Sequence, residues 1–132
     1  MKMTPEWLLQ ALVSSWSKST STKYSPDYPA RGQCGVTALV VNELLGGEIL
    51  KTPLEEGWHF YNRIGGRRMD FTLSQFDEAI DYQDVESSRE EAFLDTNDEQ
   101  YRILKEAVLG RLRESNKCGF LNKKHDRCNE IS

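Results

Sequence analysis

Cys34, His59 and Asp70 have the residue types and the chain order of a thiol active site. A cysteine is mostly protonated at pH 7, and a neighbouring histidine makes it nucleophilic by taking the proton. A carboxylate on the other ring nitrogen then fixes the tautomer and orientation of the imidazole. Such a trio can attack an amide or ester carbonyl, and the chemistry requires no metal or organic cofactor. Each residue also has a plainer reading. Cys34 can be a small buried hydrophobe, His59 a strand histidine packed beside Trp58 and Phe60, and Asp70 a turn or cap residue for the segment at Leu73.

The elements around these residues determine whether they can meet. Cys34 opens an apolar stretch of helical length, with Val36, Ala38, Leu39, Val40, Val41, Leu44 and Leu45 spread over more than one face, and Gly46-Gly47 closes it. The pattern predicts a central buried helix with Cys34 at its N-terminus, where the helix dipole and free amides favour a thiolate. Glu48 to Lys51 reads as a short strand before a turn at Pro53 to Gly57. Trp58, Phe60, Asn62 and Ile64 then alternate with His59, Tyr61 and Arg63, the two-residue period of a strand. Gly65-Gly66 turns the chain into a return strand from Arg67 to Phe71. Counting outward from that turn, Ile64 faces Arg67, and His59 falls near the point where Asp70 or Thr72 emerges. Arg31, Gln33 and Asn62 are candidates to bind a substrate carboxylate or amide, or else to hold the loop before Cys34. Trp58 and Tyr61 are candidates to line a pocket, or else to build core.

The flanks supply covering helices. Thr4-Pro5-Glu6 reads as cap, first-turn proline and first-turn acid, and Trp7, Leu8, Ala11, Leu12 and Trp16 share one face of a helix of about three turns. Ser17 to Ala30, with Pro26 and Pro29, reads as an ordered loop. Leu73 to Phe76 suggests one helical turn, Ile80 to Val85 a further strand, and Ser87/Ser88 with Glu90/Glu91 a short capped helix. Thr96-Asn97-Asp98-Glu99 caps a terminal helix whose stripe is Tyr101, Leu104, Val108 and Leu112, ending near Glu114. A polar tail follows from Ser115.

The 132 residues suit a single domain, with a core spanning about residues 4–114. A net charge of -4 gives no general electrostatic reason to bind nucleic acid or an anionic membrane, so neither is expected as a partner. The apolar run around Val36–Leu45 is too short to cross a bilayer. Met1 to Glu6 lacks the features of a secretory signal, and a cytoplasmic location is the expectation. Three cysteines, Cys34, Cys118 and Cys128, make an odd set that fits free thiols better than a disulfide framework. Cys118, His125 and Cys128 lack a fourth ligand and the paired short spacings of a zinc motif, so no metal is expected. The basic residues Arg111, Arg113, Lys117, Lys123, Lys124 and Arg127 suit a solvated helix end.

The run Gln33-Cys34-Gly35 opening an apolar helix, then Gly57-Trp58-His59-Phe60-Tyr61-Asn62, then Asp70-Phe71-Thr72, resembles the papain-like thiol core in its transglutaminase-like order. More closely, Pro29-Ala30-Arg31-Gly32-Gln33-Cys34-Gly35-Val36-Thr37-Ala38, Gly46-Gly47-Glu48-Ile49-Leu50-Lys51-Thr52, Trp58-His59-Phe60-Tyr61-Asn62 and Arg89-Glu90-Glu91-Ala92-Phe93 resemble the YunG-like family of small bacterial proteins. The resemblance implies an α+β fold with a Cys-bearing central helix on a small antiparallel sheet and flanking terminal helices. It also implies Cys34 as nucleophile, His59 as base and Asp70 as orienter. One departure stands out: papain-like peptidases place an oxyanion-hole glutamine several positions before the cysteine, whereas Tyr28 stands six residues before Cys34. Two functions are compatible with these features besides a thiol hydrolase or acyltransferase acting on a small molecule or peptide. One is a non-catalytic binding or adaptor protein using the same cleft, and the other is a redox-sensing thiol.

Overall fold

A computed structural model of the chain describes residues 4–76 and 79–125, with side chains up to residue 113 except at residue 75. Thr4 caps α1 (Pro5–Ser15) by accepting the Trp7 N–H at 3.2 Å, and Pro5 sits where a helix N–H has no partner. In α2 (Cys34–Leu45) every residue from Cys34 to Val41 is buried, in keeping with its all-round apolar pattern. One flank of α2, through Val36, Val40 and Val41, meets Leu8 and Leu12 of α1 and Leu104 and Val108 of the terminal helix α4 (Asp98–His125). The other flank, through Ala38 and Leu39, meets Ile49 and Phe60 of the sheet. The indole of Trp16 donates to Thr37 Oγ1 at 2.9 Å and so satisfies the one hydroxyl in this part of α2.

The sheet is antiparallel, with the order β3-β2-β1-β4: β1 (Glu48–Leu54), β2 (Gly57–Ile64), β3 (Arg67–Met69) and β4 (Val85–Glu86). The α+β architecture with a central Cys-bearing helix, a small antiparallel sheet and covering terminal helices is therefore observed. The register about Gly65-Gly66 pairs Ile64 with Arg67, as counted from the glycines.

Several boundaries differ from the pattern-based expectation. β1 runs on to Leu54 through Pro53, and the turn is only Glu55-Glu56. At Pro53 the strand is at the sheet edge, because β4 pairs only with Leu50 and Lys51, and an edge accommodates a residue without an N–H. β3 stops at Met69, so Asp70 leaves the ladder. The expected strand from Ile80 shrinks to Val85–Glu86, since Asp84 adopts a left-handed backbone (φ 51°) that interrupts extended pairing. α4 extends to His125 rather than ending near Glu114. The apolar stripe marks where that helix packs, not where its backbone bonding stops.

Leu39 is fully buried between α2 and the sheet. Leu39→Ala is expected to lower the unfolding free energy by about 2–5 kcal/mol, read from urea melts followed by circular dichroism.

Candidate thiol site

His59 and Asp70 form a buried pair. Nε2 of His59 lies 2.6 Å from Asp70 Oδ2, and the two side chains are 2% and 4% exposed. Every further bond that Asp70 makes is also one it accepts. Thr72 gives its N–H at 3.1 Å and its hydroxyl at 3.2 Å to Oδ1, and Tyr82 gives its hydroxyl at 2.8 Å to Oδ2. Burial, then the bond to Asp70, holds the Tyr82 hydroxyl well above its ordinary pKa, so it stays a donor. A carboxylate receiving three such bonds takes an N–H from Nε2 as the fourth, and this pattern assigns His59 the Nε2–H tautomer. Nδ1 is then a lone-pair acceptor; it is buried and has no partner among the described residues.

The sheet explains why this pair forms. Thr52 stands opposite His59, and Leu50 opposite Tyr61, so Thr52, His59 and Tyr61 share the sheet face turned away from α2. The segment 81–84 is strapped across that face. Gln83 N–H donates to Thr52 Oγ1 at 2.9 Å, Thr52 donates to the Asp81 carbonyl at 3.3 Å, and the Tyr61 hydroxyl donates to Asp84 at 2.8 Å. Arg68 grips Asp84 with two bonds of 2.8 and 2.7 Å, and its hydrogen bonding holds the Asp84 carboxyl below the usual range. The strap thereby delivers Tyr82 to Asp70, while Phe76 packs edge-on against the His59 ring.

Cys34 meets the sheet at the edge that β3 leaves open. β3 covers β2 only from Asn62 to Ile64, and the Phe60 backbone N–H reaches the Cys34 sulfur. Cys34, His59, Phe60, Trp58, Phe76, Lys23 and Arg31 line one cleft of about 790 Å³.

The thiol itself is held by a carboxylate that the sequence reading did not include. Asp95 Oδ2 accepts the Cys34 S–H at 3.5 Å and the Gly35 N–H at 3.1 Å. Asp95 follows the short helix α3 (Arg89–Ala92), which Arg89 fastens to α2 through the Leu39 carbonyl and Asn42 Oδ1 at 3.1 and 2.8 Å. The expectation of a thiolate-favouring helix end is corrected here. Burial first, and the Asp95 carboxylate second, push the Cys34 thiol from its ordinary 9.0 up to about 12, against the help of the Phe60 N–H. Burial likewise raises the pKa of Asp95, opposed by the bonds from Cys34 and Gly35. The one local trace of Asp95 in the sequence is Gly35, a glycine in the first turn of an otherwise good helix. A Cβ there would lie 2.5 Å from Asp95 Oδ2.

The other candidates divide. Arg31 and Trp58 line the cleft. Gln33, Tyr61 and Asn62 do not: Gln33 is fully buried and accepts from Thr20 at 2.8 Å, Tyr61 is tied to Asp84, and Asn62 donates to the Ala38 carbonyl at 3.1 Å. These three hold the framework, because their polar ends satisfy buried backbone and side-chain groups. Cys118, His125 and Cys128 fall outside the residues whose side chains are described. Among the described residues no cluster of three or more His, Cys, Asp or Glu could hold a metal ion, and no helix is long and apolar enough to cross a membrane.

These features define an α+β protein with a buried cysteine at a helix start and an oriented histidine in the same cleft. The chain belongs to the YunG protein family, whose pattern it matches over residues 4–113, a span containing Cys34, His59, Asp70 and Asp95. A Bacillus subtilis (strain 168) protein described as "Uncharacterized protein YunG" is 56% identical over 96 residues, covering 73% of this chain and 84% of that protein. No solved structure matches.

The Cys34 thiol carries a pH signature of stability. With a folded pKa of about 12 against an ordinary 9.0, the unfolded chain loses this proton first as pH rises, and the folded chain retains it. The contribution of Cys34 to stability is therefore full below pH 9 and is lost on going from pH 9 toward 12. The difference in unfolding free energy between wild type and Cys34→Ser should fall across that window in urea titrations, and a flat difference would contradict it.

Proposed function

We propose that the protein is a cysteine-dependent hydrolase or acyltransferase of papain-like, transglutaminase-like type, acting on an amide or ester carbonyl in the 790 Å³ cleft. The observation that carries this reading is His59. Asp70 receives its Nε2–H, and Nδ1 is left as a buried lone-pair acceptor with no partner among the described residues, on a side chain lining the cleft that holds Cys34. A buried acceptor without a partner costs stability, and a proton-accepting role explains its retention.

In the proposed reaction the Cys34 thiol leaves Asp95 and gives its proton to His59 Nδ1. The sulfur forms a bond to the carbonyl carbon, and the displaced π pair moves to the carbonyl oxygen. Collapse of that intermediate breaks the bond to the amine or alcohol, which takes the proton back from His59. Water or another acceptor then cleaves the thioester through the same base. Asp70 stabilises the imidazolium while it exists, and Thr72 and Tyr82 keep Asp70 in place. No metal or organic cofactor enters these steps.

A second reading has one specific observation in its favour. In the observed arrangement Cys34 donates to Asp95 and not to His59, which suits a binding or adaptor protein that uses the cleft to recognise a small molecule or peptide without acylation.

An activated aryl ester separates the two. Wild type is expected to accumulate an acyl group on Cys34, read by peptide mass spectrometry. The adduct should vanish in Cys34→Ser and form roughly 10²–10⁴-fold more slowly in His59→Ala. Absence of acylation, or acylation indifferent to His59→Ala, overturns the catalytic reading.

A further inference from the structure

We propose that the Asp95 carboxylate is a built-in stand-in for the substrate's acyl group. Its Oδ2 fills the oxygen subsite on the Gly35 amide beside the Cys34 sulfur, and the thiol is released for attack when a substrate carbonyl oxygen takes that place. This inference rests on the thiol-acyl reading above and adds to it the oxygen-binding donor and the regulation of the site.

One oxygen atom of Asp95 makes both contacts, 3.1 Å to the Gly35 nitrogen and 3.5 Å to the Cys34 sulfur. An oxyanion formed by attack of that sulfur needs a donor at this kind of position, in hydrogen-bond reach of the amide and next to the nucleophile. A helix end alone would be weak support, since any acid can cap one. The independent observation is His59 Nδ1. It has no partner among the described residues, and it belongs to a side chain that is only 2% exposed and lines the same cleft, while the Cys34 thiol is held by Asp95. The stand-in is also placed to leave. Asp95 sits in the turn after a four-residue helix, its neighbour Leu94 is 88% exposed, and Lys23 on the cleft wall attracts its carboxylate and offers it a counter-charge once displaced. When a carbonyl oxygen accepts the Gly35 N–H instead, the Cys34 proton can pass to Nδ1 and the Coulombic penalty on the thiolate falls away.

The test is the alkylation rate of Cys34 by iodoacetamide, a step that forms the sulfur–carbon bond and expels iodide. At pH 7, Asp95→Ala and Asp95→Asn are expected to react about tenfold or more faster than wild type. Gly35→Ala should do the same, because its Cβ would meet Asp95 at 2.5–2.7 Å and evict it without removing it. In Asp95→Ala, acetate should refill the subsite and slow alkylation saturably, with chloride at equal ionic strength having no effect. Folded variants, verified by thermal melts, that react at the wild-type rate overturn the proposal, as does indifference of Asp95→Ala to acetate. Should Asp95→Ala not fold, Asp95→Asn and Gly35→Ala decide. The two readings fail separately. Acceleration that survives an added His59→Ala upholds the stand-in and removes His59 as base, whereas His59-dependent ester acylation without acceleration removes only the stand-in.

Discussion

A carboxylate buried at 4% exposure is expensive unless every lone pair finds a donor, and Asp70 dictates much of the surrounding structure for that reason. Its four donors come from His59, the Thr72 backbone and hydroxyl, and Tyr82. Supplying the last requires the 81–84 strap, which in turn requires Thr52, Tyr61 and the Asp84–Arg68 pair on the face of the sheet opposite α2. The left-handed backbone of Asp84 is part of the same arrangement, since its own N–H returns to the Tyr61 hydroxyl at 2.9 Å. His59 is therefore held by a network spanning three strands and a loop rather than by one neighbour.

The two acids at the site do opposite things because of what faces them. Asp70 meets donors only and fixes an imidazole. Asp95 meets a thiol, whose deprotonation would set two negative charges side by side, so the carboxylate disfavours the thiolate while the bond from the neutral thiol favours the carboxylate. The helix dipole and the Phe60 N–H work for a thiolate, but burial and a nearby carboxylate outweigh them in this arrangement. A reactive cysteine is thus defined by which groups surround its sulfur, more than by its position at a helix start.

What could be read from the sequence was what is encoded locally. Thr4-Pro5-Glu6 and the Leu8–Leu12 spacing place α1, and the all-round apolar run places α2. Gly65-Gly66 fixes the hairpin register that brings His59 toward Asp70. The lengths of β1 and α4 were less legible, because Pro53 is permitted at an edge and helical bonding continues past the apolar stripe. Asp95 was not legible at all: it touches Cys34 across 61 residues of chain, and such a pairing leaves no periodicity. Gln33, Tyr61 and Asn62 are polar neighbours of the motif in sequence, yet each is spent on internal bonds, which only the tertiary arrangement reveals.

The outer edge of β1 bears on how these molecules behave in a crowded solution. Among the described residues β4 pairs with only two residues of that strand, so the stretch toward Leu54 has no ladder partner on that side to exclude an added strand from another chain. Pro53 stands in the middle of it and offers no N–H to a newcomer, while the backbone of Gln83 already occupies the Thr52 hydroxyl. A residue that disturbs the ladder pattern thus serves as a guard against edge-to-edge aggregation.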